Sequence, residues 1–140
     1  MKTLKTLLIT LLCLMLLGGL TACGSKMTAD PWASAKYTQD TELGEGATTV
    51  KVTVQVNDHK VVFTVHTDKT ILGDALIDNG LVEGEAGAYG LYIKKVNGIT
   101  ADYDVDQSYW NFCMNGETMM VGVNGQTIAD GEAYELVYTK

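Results

Sequence analysis

Apolar positions follow three different patterns along the chain. Between Leu7 and Leu17 they form an almost unbroken block, interrupted only by Thr10. From Gly24 to about Thr49 no apolar period is sustained; Gly, Ser, Thr, Ala, the only Pro (Pro31) and scattered charges dominate. From Val50 onward a strict alternation begins. Val50, Val52, Val54 and Val56 are separated by Lys51, Thr53 and Gln55, and Val61, Phe63 and Val65 resume the rhythm after Asn57-Asp58-His59-Lys60. Period two with β-branched residues around a turn cluster predicts a β-hairpin. Ile71, Leu72, Ala75 and Leu76 then recur at helical spacing. Asp68 or Thr70 is positioned to cap this short helix of about ten residues, Asp74 suits its first turn, and Asn79-Gly80 closes it. Gly73 weakens it.

A Gly-rich stretch (Gly84, Gly87) follows, then a strand over Tyr89 to Val96 that ends at Asn97-Gly98. Ser108 to Met114 and Thr118 to Val123 read as two strands joined by Asn115-Gly116, a strong hairpin signal. After Asp130-Gly131 the last strand places Tyr134, Leu136 and Tyr138 on one face. The expected fold is α+β: a small β-grasp-like domain over residues 50–140, with a mostly antiparallel sheet and one packed helix.

The leading block is an address rather than part of this domain. Lys2 and Lys5 precede an apolar stretch from Thr6 to Leu20, at about 15 residues shorter than the ~20 needed to span a bilayer as a helix. It ends in Leu20-Thr21-Ala22-Cys23, which resembles the bacterial lipobox. That resemblance implies a signal peptide at 1–22, cleavage before Cys23, and diacylglycerol on the Cys23 sulfur. Residues 23–49 then form a lipidated flexible tether, with Trp32 and Tyr37 either docked on the domain or exposed. The expected location is the outer face of the bacterial cytoplasmic membrane, with the outer membrane as the alternative in a cell that has one.

Composition narrows the chemistry. Ten Lys, no Arg and seventeen acids give a net charge of −7, and removing residues 1–22 takes two further Lys and no acids. Phosphate backbones require clustered cations, so nucleic acid is an unsuitable partner. Cys113 is the one thiol left in the domain, inside an apolar run that predicts a buried, inert side chain. His59 and His66 have no second His or Cys at metal spacing. Asp102-x-Asp104-x-Asp106 starts like a calcium loop, but Gln107 and Cys113 occupy the positions where Gly and Glu are needed. No phosphate loop, zinc pair or nucleophile triad is visible, so no catalytic residue, metal site or catalytic cofactor is assigned and an enzyme is not expected.

Aromatic residues are the remaining candidates. In Ser108-Tyr109-Trp110-Asn111-Phe112 the alternation puts Trp110 and Phe112 on one face, Tyr109 and Asn111 on the other. One face must be core; a ring beside an amide on the other suits a large planar or sugar-like ligand.

Several short motifs recur in a familiar order: Thr70-Ile71-Leu72-Gly73-Asp74-Ala75-Leu76, Tyr89-Gly90-Leu91-Tyr92-Ile93, Val96-Asn97-Gly98, Tyr109-Trp110-Asn111-Phe112 with Asn115-Gly116, Val121-Gly122-Val123 and Asp130-Gly131-Glu132. Through about ninety residues the chain resembles the transcobalamin-like C-terminal domain family, named for the small β domain of animal cobalamin carriers. The resemblance implies a cobalamin or corrinoid ligand, with Tyr109, Trp110 and Asn111 on the ligand-facing hairpin and Tyr89 and Tyr92 near it. Those carriers enclose their ligand against a large helical barrel, for which this chain has no room. An envelope protein or a second copy would have to complete such a site. The alternative expectation is a cell-surface interaction or structural module with no small ligand.

Overall fold

The computed structural model describes residues 29–88 and 90–140. The signal peptide expected at 1–22, the expected lipidation site Cys23 and the candidate Tyr89 lie outside the described residues. Two sheets and one principal helix enclose the core. Strands β1 (Thr41–Gly44), β2 (Thr48–Val56), β3 (His59–Thr67), β7 (Tyr109–Met114), β8 (Glu117–Thr118) and β9 (Ala133–Thr139) form a six-stranded sheet in the order β1-β3-β2-β9-β7-β8. Strands β4 (Val82–Gly87), β5 (Gly90–Val96) and β6 (Ile99–Thr100) form the second. Helix α1 (Leu72–Asp78) is the main helix, and α2 (Tyr103–Asp106) is a single turn.

The expected hairpin pairs Val54 with Val61, Val52 with Phe63 and Val50 with Val65, and all six are buried. Its turn holds Asn57 at φ 52°, a left-handed geometry that Asn tolerates better than most residues. On the other flank of β2, strand β9 runs parallel and sets Tyr134 beside Val52 and Leu136 beside Val54. β7 follows antiparallel, with Phe112 opposite Leu136 and Trp110 opposite Tyr138. The apolar face of each strand is thereby continued by the next. α1 adds Leu72, Ala75 and Leu76, and the second sheet adds Val82, Ile93, Val96 and Ile99. The α+β, β-grasp-like expectation holds, with β1–β3 and β2–β9 as parallel pairs in an otherwise antiparallel arrangement.

Four local expectations change. Neither Asp68 nor Thr70 caps α1: Ile71 stands at that position without a side-chain bond, while Asp68 accepts the Ala47 N–H at 3.0 Å. The helix start is fixed from outside, by Leu72 N–H donating to the Gln126 carbonyl at 2.9 Å. Gly84 and Gly87, in a Gly-rich stretch given no element, lie in a strand; at the bulge between Glu83 and Gly84 the Tyr92 carbonyl passes so close that no Cβ would fit. The strand expected from Thr118 to Val123 reduces to β8, because the chain then leaves the sheet for a 3₁₀ turn at Val123–Gly125.

The fourth concerns the tether. Residues from Pro31 onward are built onto the domain, which shortens the tether expected over 23–49. Trp32 stacks on His59 with centroids 4.8 Å apart, Tyr37 meets Phe63 edge-on at 5.7 Å, and β1 pairs with β3. Buried Asn97 clasps this strap, donating Nδ2–H to the Tyr37 carbonyl and accepting the Tyr37 N–H, each at 2.8 Å. Asn97 is sixty residues from Tyr37 in sequence, and the other partners are more than twenty away, so no local period announces them.

Candidate functional site

Strand directions give the domain two distinct ends. β9 runs parallel to β2 and antiparallel to β7, so the Asn57 turn, Lys140 and Tyr109 share one end. The strap begins there: Ala29 and Pro31 line a recess with Asn57, Asp106 and Lys140. At the opposite end lie the Asn115-Gly116 turn and the segment after β8. The tip of the β4–β5 hairpin joins them, with Gly90 against the Asn124 side chain and the Leu91 carbonyl facing Gly122.

The sequence-predicted site residues divide between these places. Trp110 is core, with 7% of its surface exposed, and it meets Tyr138 edge-on at 5.6 Å. Its indole N–H has no partner among the described residues. Tyr109, 39% exposed, and Asn111 occupy the outer face of the six-stranded sheet, where Asn111 Nδ2–H donates to Thr118 Oγ1 at 3.1 Å. Tyr92 stands on β5 with 40% of its surface exposed and the Lys94 ammonium 5.9 Å from its ring centre. Tyr109 and Trp110 therefore do not share a face, and Tyr92 belongs to the other sheet.

What gathers at the far end is an apolar rim. Met120 is 98% exposed and Val121 47%, next to half-buried Met119, while half-buried Leu91 and exposed Tyr92 stand on the neighbouring hairpin. A recess of about 420 Å³ is lined by Met114, Asn115, Glu117, Thr118, Met119, Met120 and Val121. A smaller one of about 210 Å³ lies at the β4–β5 tip, against Leu91 and Tyr92. Exposed apolar side chains grouped at the end of a domain mark a contact surface. Sequence reading missed Met119, Met120 and Val121 by assigning them to a strand. The available signal was three adjacent large apolar residues, which a strand facing water on one side would have interrupted with polar ones.

The titratable groups have structural roles. Asp102 caps α2, accepting the Asp104 N–H at 3.0 Å. Asp106 accepts both the N–H and the O–H of buried Ser108, and these bonds, with a smaller contribution from Lys140, hold its carboxyl below the usual range. Burial, reinforced by donation to Glu132, pushes the Tyr134 hydroxyl well above its usual range. Cys113 is buried and unpaired. Among the described residues no three His, Cys, Asp or Glu side chains come together as a metal site.

Comparison with known proteins agrees with this architecture. The family model for DUF4430, a domain of unknown function, matches residues 68–140. The crystal structure of a candidate metal-binding protein from Ruminococcus gnavus is 36% identical with a TM-score of 0.63, over 67% of this chain and 98% of that one. Haptocorrin in complex with cobinamide shares the fold at 23% identity and a TM-score of 0.50. That match covers 66% of this chain, which spans 25% of haptocorrin. No curated protein matches the sequence.

Proposed function

The chain belongs to the DUF4430 family, and we propose that it is a lipid-anchored extracytoplasmic binding protein that holds a corrinoid at its far rim. The observation that carries this reading is the rim itself: Tyr92, Leu91, Met119, Met120 and Val121 stand exposed or half-exposed at the end remote from the strap. A domain tethered through Cys23 would then turn its apolar end away from the membrane. A corrin offers broad apolar edges bordered by amides, which ring and thioether side chains cover by dispersion and stacking. The transcobalamin-like fold, shared with haptocorrin, supports the ligand class. Because the chain spans a quarter of haptocorrin, a partner protein or a second copy would complete an enclosing site. Binding without catalysis accords with the described carboxylates and hydroxyls that are tied up in caps and internal bonds.

The test is calorimetric titration of the full chain in detergent with cobinamide and cyanocobalamin. Saturable binding is expected, weakened about tenfold or more by Tyr92→Ala and by Met120→Gln, a loss of about 1.4 kcal/mol or more. Absence of corrinoid binding, alone or with envelope extract added, would favour a protein-interaction module instead. The anchor is tested separately: Cys23→Ser should abolish acyl labelling and release the protein from membranes.

A further inference from the structure

Half of the protein's six methionines, Met114, Met119 and Met120, fall within seven consecutive residues and line one recess. The hairpin geometry explains why two of them meet. Met114 pairs with Glu117 and Cys113 with Thr118, and Met119 N–H donates to the Phe112 carbonyl at 2.9 Å. Met119 therefore sits across from Phe112, on the face that Phe112 shares with Met114. Met114 and Met119 become diagonal cross-strand neighbours, within reach of long side chains. Both also pack against the core, which fixes their stems. Met120 leaves the sheet at the next residue, is almost fully exposed, and lines the same recess with a flexible unbranched side chain.

From this arrangement we infer that the recess is a thioether site for a soft monovalent d¹⁰ cation, copper(I). Three neutral sulfur donors suit Cu(I), and neither His nor Cys lines the recess to favour zinc or copper(II). Glu117 at its edge supplies a negative charge close to the ion. Thioethers carry no proton to displace, so binding should persist in acid where imidazole and thiolate sites release their metal. The inference does not rest on the corrinoid reading.

The experiment uses the full chain in detergent with methionine methyls labelled by carbon-13, titrated with silver(I) as a redox-inert substitute and then with Cu(I) against a chelating competitor. The methyls of Met114, Met119 and Met120 should shift together and saturate, while that of Met27 should not follow them. Leucine keeps the apolar volume and removes the sulfur. Met120→Leu should weaken the site about tenfold or more, and the triple leucine variant should abolish it without altering far-ultraviolet circular dichroism. Metal uptake that leaves these three methyls unmoved, as capture by cysteine thiols would, overturns the inference. So does undiminished binding by the triple variant.

Discussion

Asn97 holds Tyr37 by both atoms of its amide: Oδ1 accepts the Tyr37 N–H and Nδ2–H donates to the Tyr37 carbonyl, each at 2.8 Å. The pair mimics one rung of a β-ladder between a strand-end turn and an otherwise irregular strap. Asn97 also adopts φ 51°, and its carbonyl accepts the Lys36 N–H at 2.8 Å. One residue, through its side-chain amide and its main-chain carbonyl, thus supplies much of the polar attachment of residues 36–37.

Asn97→Asp tests that attachment with almost no change in volume. The carboxylate keeps an acceptor for the Tyr37 N–H but faces the Tyr37 carbonyl with no donor, while buried. A loss of about 2 kcal/mol or more in urea unfolding is expected. Proteolysis between residues 29 and 40 should rise in parallel. If stability falls but the strap stays protected, the clasp is not what holds it.

Gly73→Ala should act against ordinary helix propensity. At an exposed helix position the change stabilises by up to about 1 kcal/mol. Here a Cβ would lie 3.0 Å from the Asn124 backbone, and the 3₁₀ turn carrying Asn124 also abuts the β4–β5 tip. Destabilisation of about 1–2 kcal/mol is expected, from the penalty for overpacking. A more stable variant in chemical denaturation would mean that the turn yields at little cost.

The balance between local and distant causes decides how much was legible in the sequence. The β2–β3 hairpin was legible because its buried valines alternate without a break. The facing of Tyr109 and Asn111 away from Trp110 and Phe112 was legible for the same reason. β4 was hidden because only Val82 of its six residues is buried, leaving no period to detect. The strap was hidden because its partners, His59, Phe63 and Asn97, are remote in sequence. The rim was hidden because the β4–β5 tip and the segment after β8 are joined only where Gly90 packs against the Asn124 side chain and the Leu91 carbonyl faces Gly122.

Asp106 gives a pH prediction with a definite sign. Its two bonds from Ser108, the dominant cause, lower the carboxyl below its ordinary value near 3.8. A depressed folded value contributes stability that is present above the unfolded value and is lost as pH falls through the folded one. Ser108→Ala should therefore unfold at lower denaturant than the parent at neutral pH. The gap should narrow as pH drops below about 4, where the unfolded-state carboxyl protonates. A gap independent of pH would assign the effect to the buried hydroxyl's other bond, to the Asp102 N–H at 3.0 Å.

Trp110 separates a structural from a ligand-contacting role. It is buried against Tyr138 in the register of β7 and β9, and its indole N–H lacks an acceptor among the described residues. Trp110→Ala removes the ring and leaves a cavity, with an expected cost of about 3–5 kcal/mol. Trp110→Phe leaves a smaller cavity and also eliminates the unpaired donor, so its cost should be distinctly less. If Trp110 acts only through the fold, the Phe variant should bind corrinoid and copper(I) like the parent at a temperature where both proteins are folded. A Phe variant that is fully folded by circular dichroism yet binds more weakly would place the indole N–H in contact with a ligand, and the strand edge at β7 would then replace the rim as the binding surface.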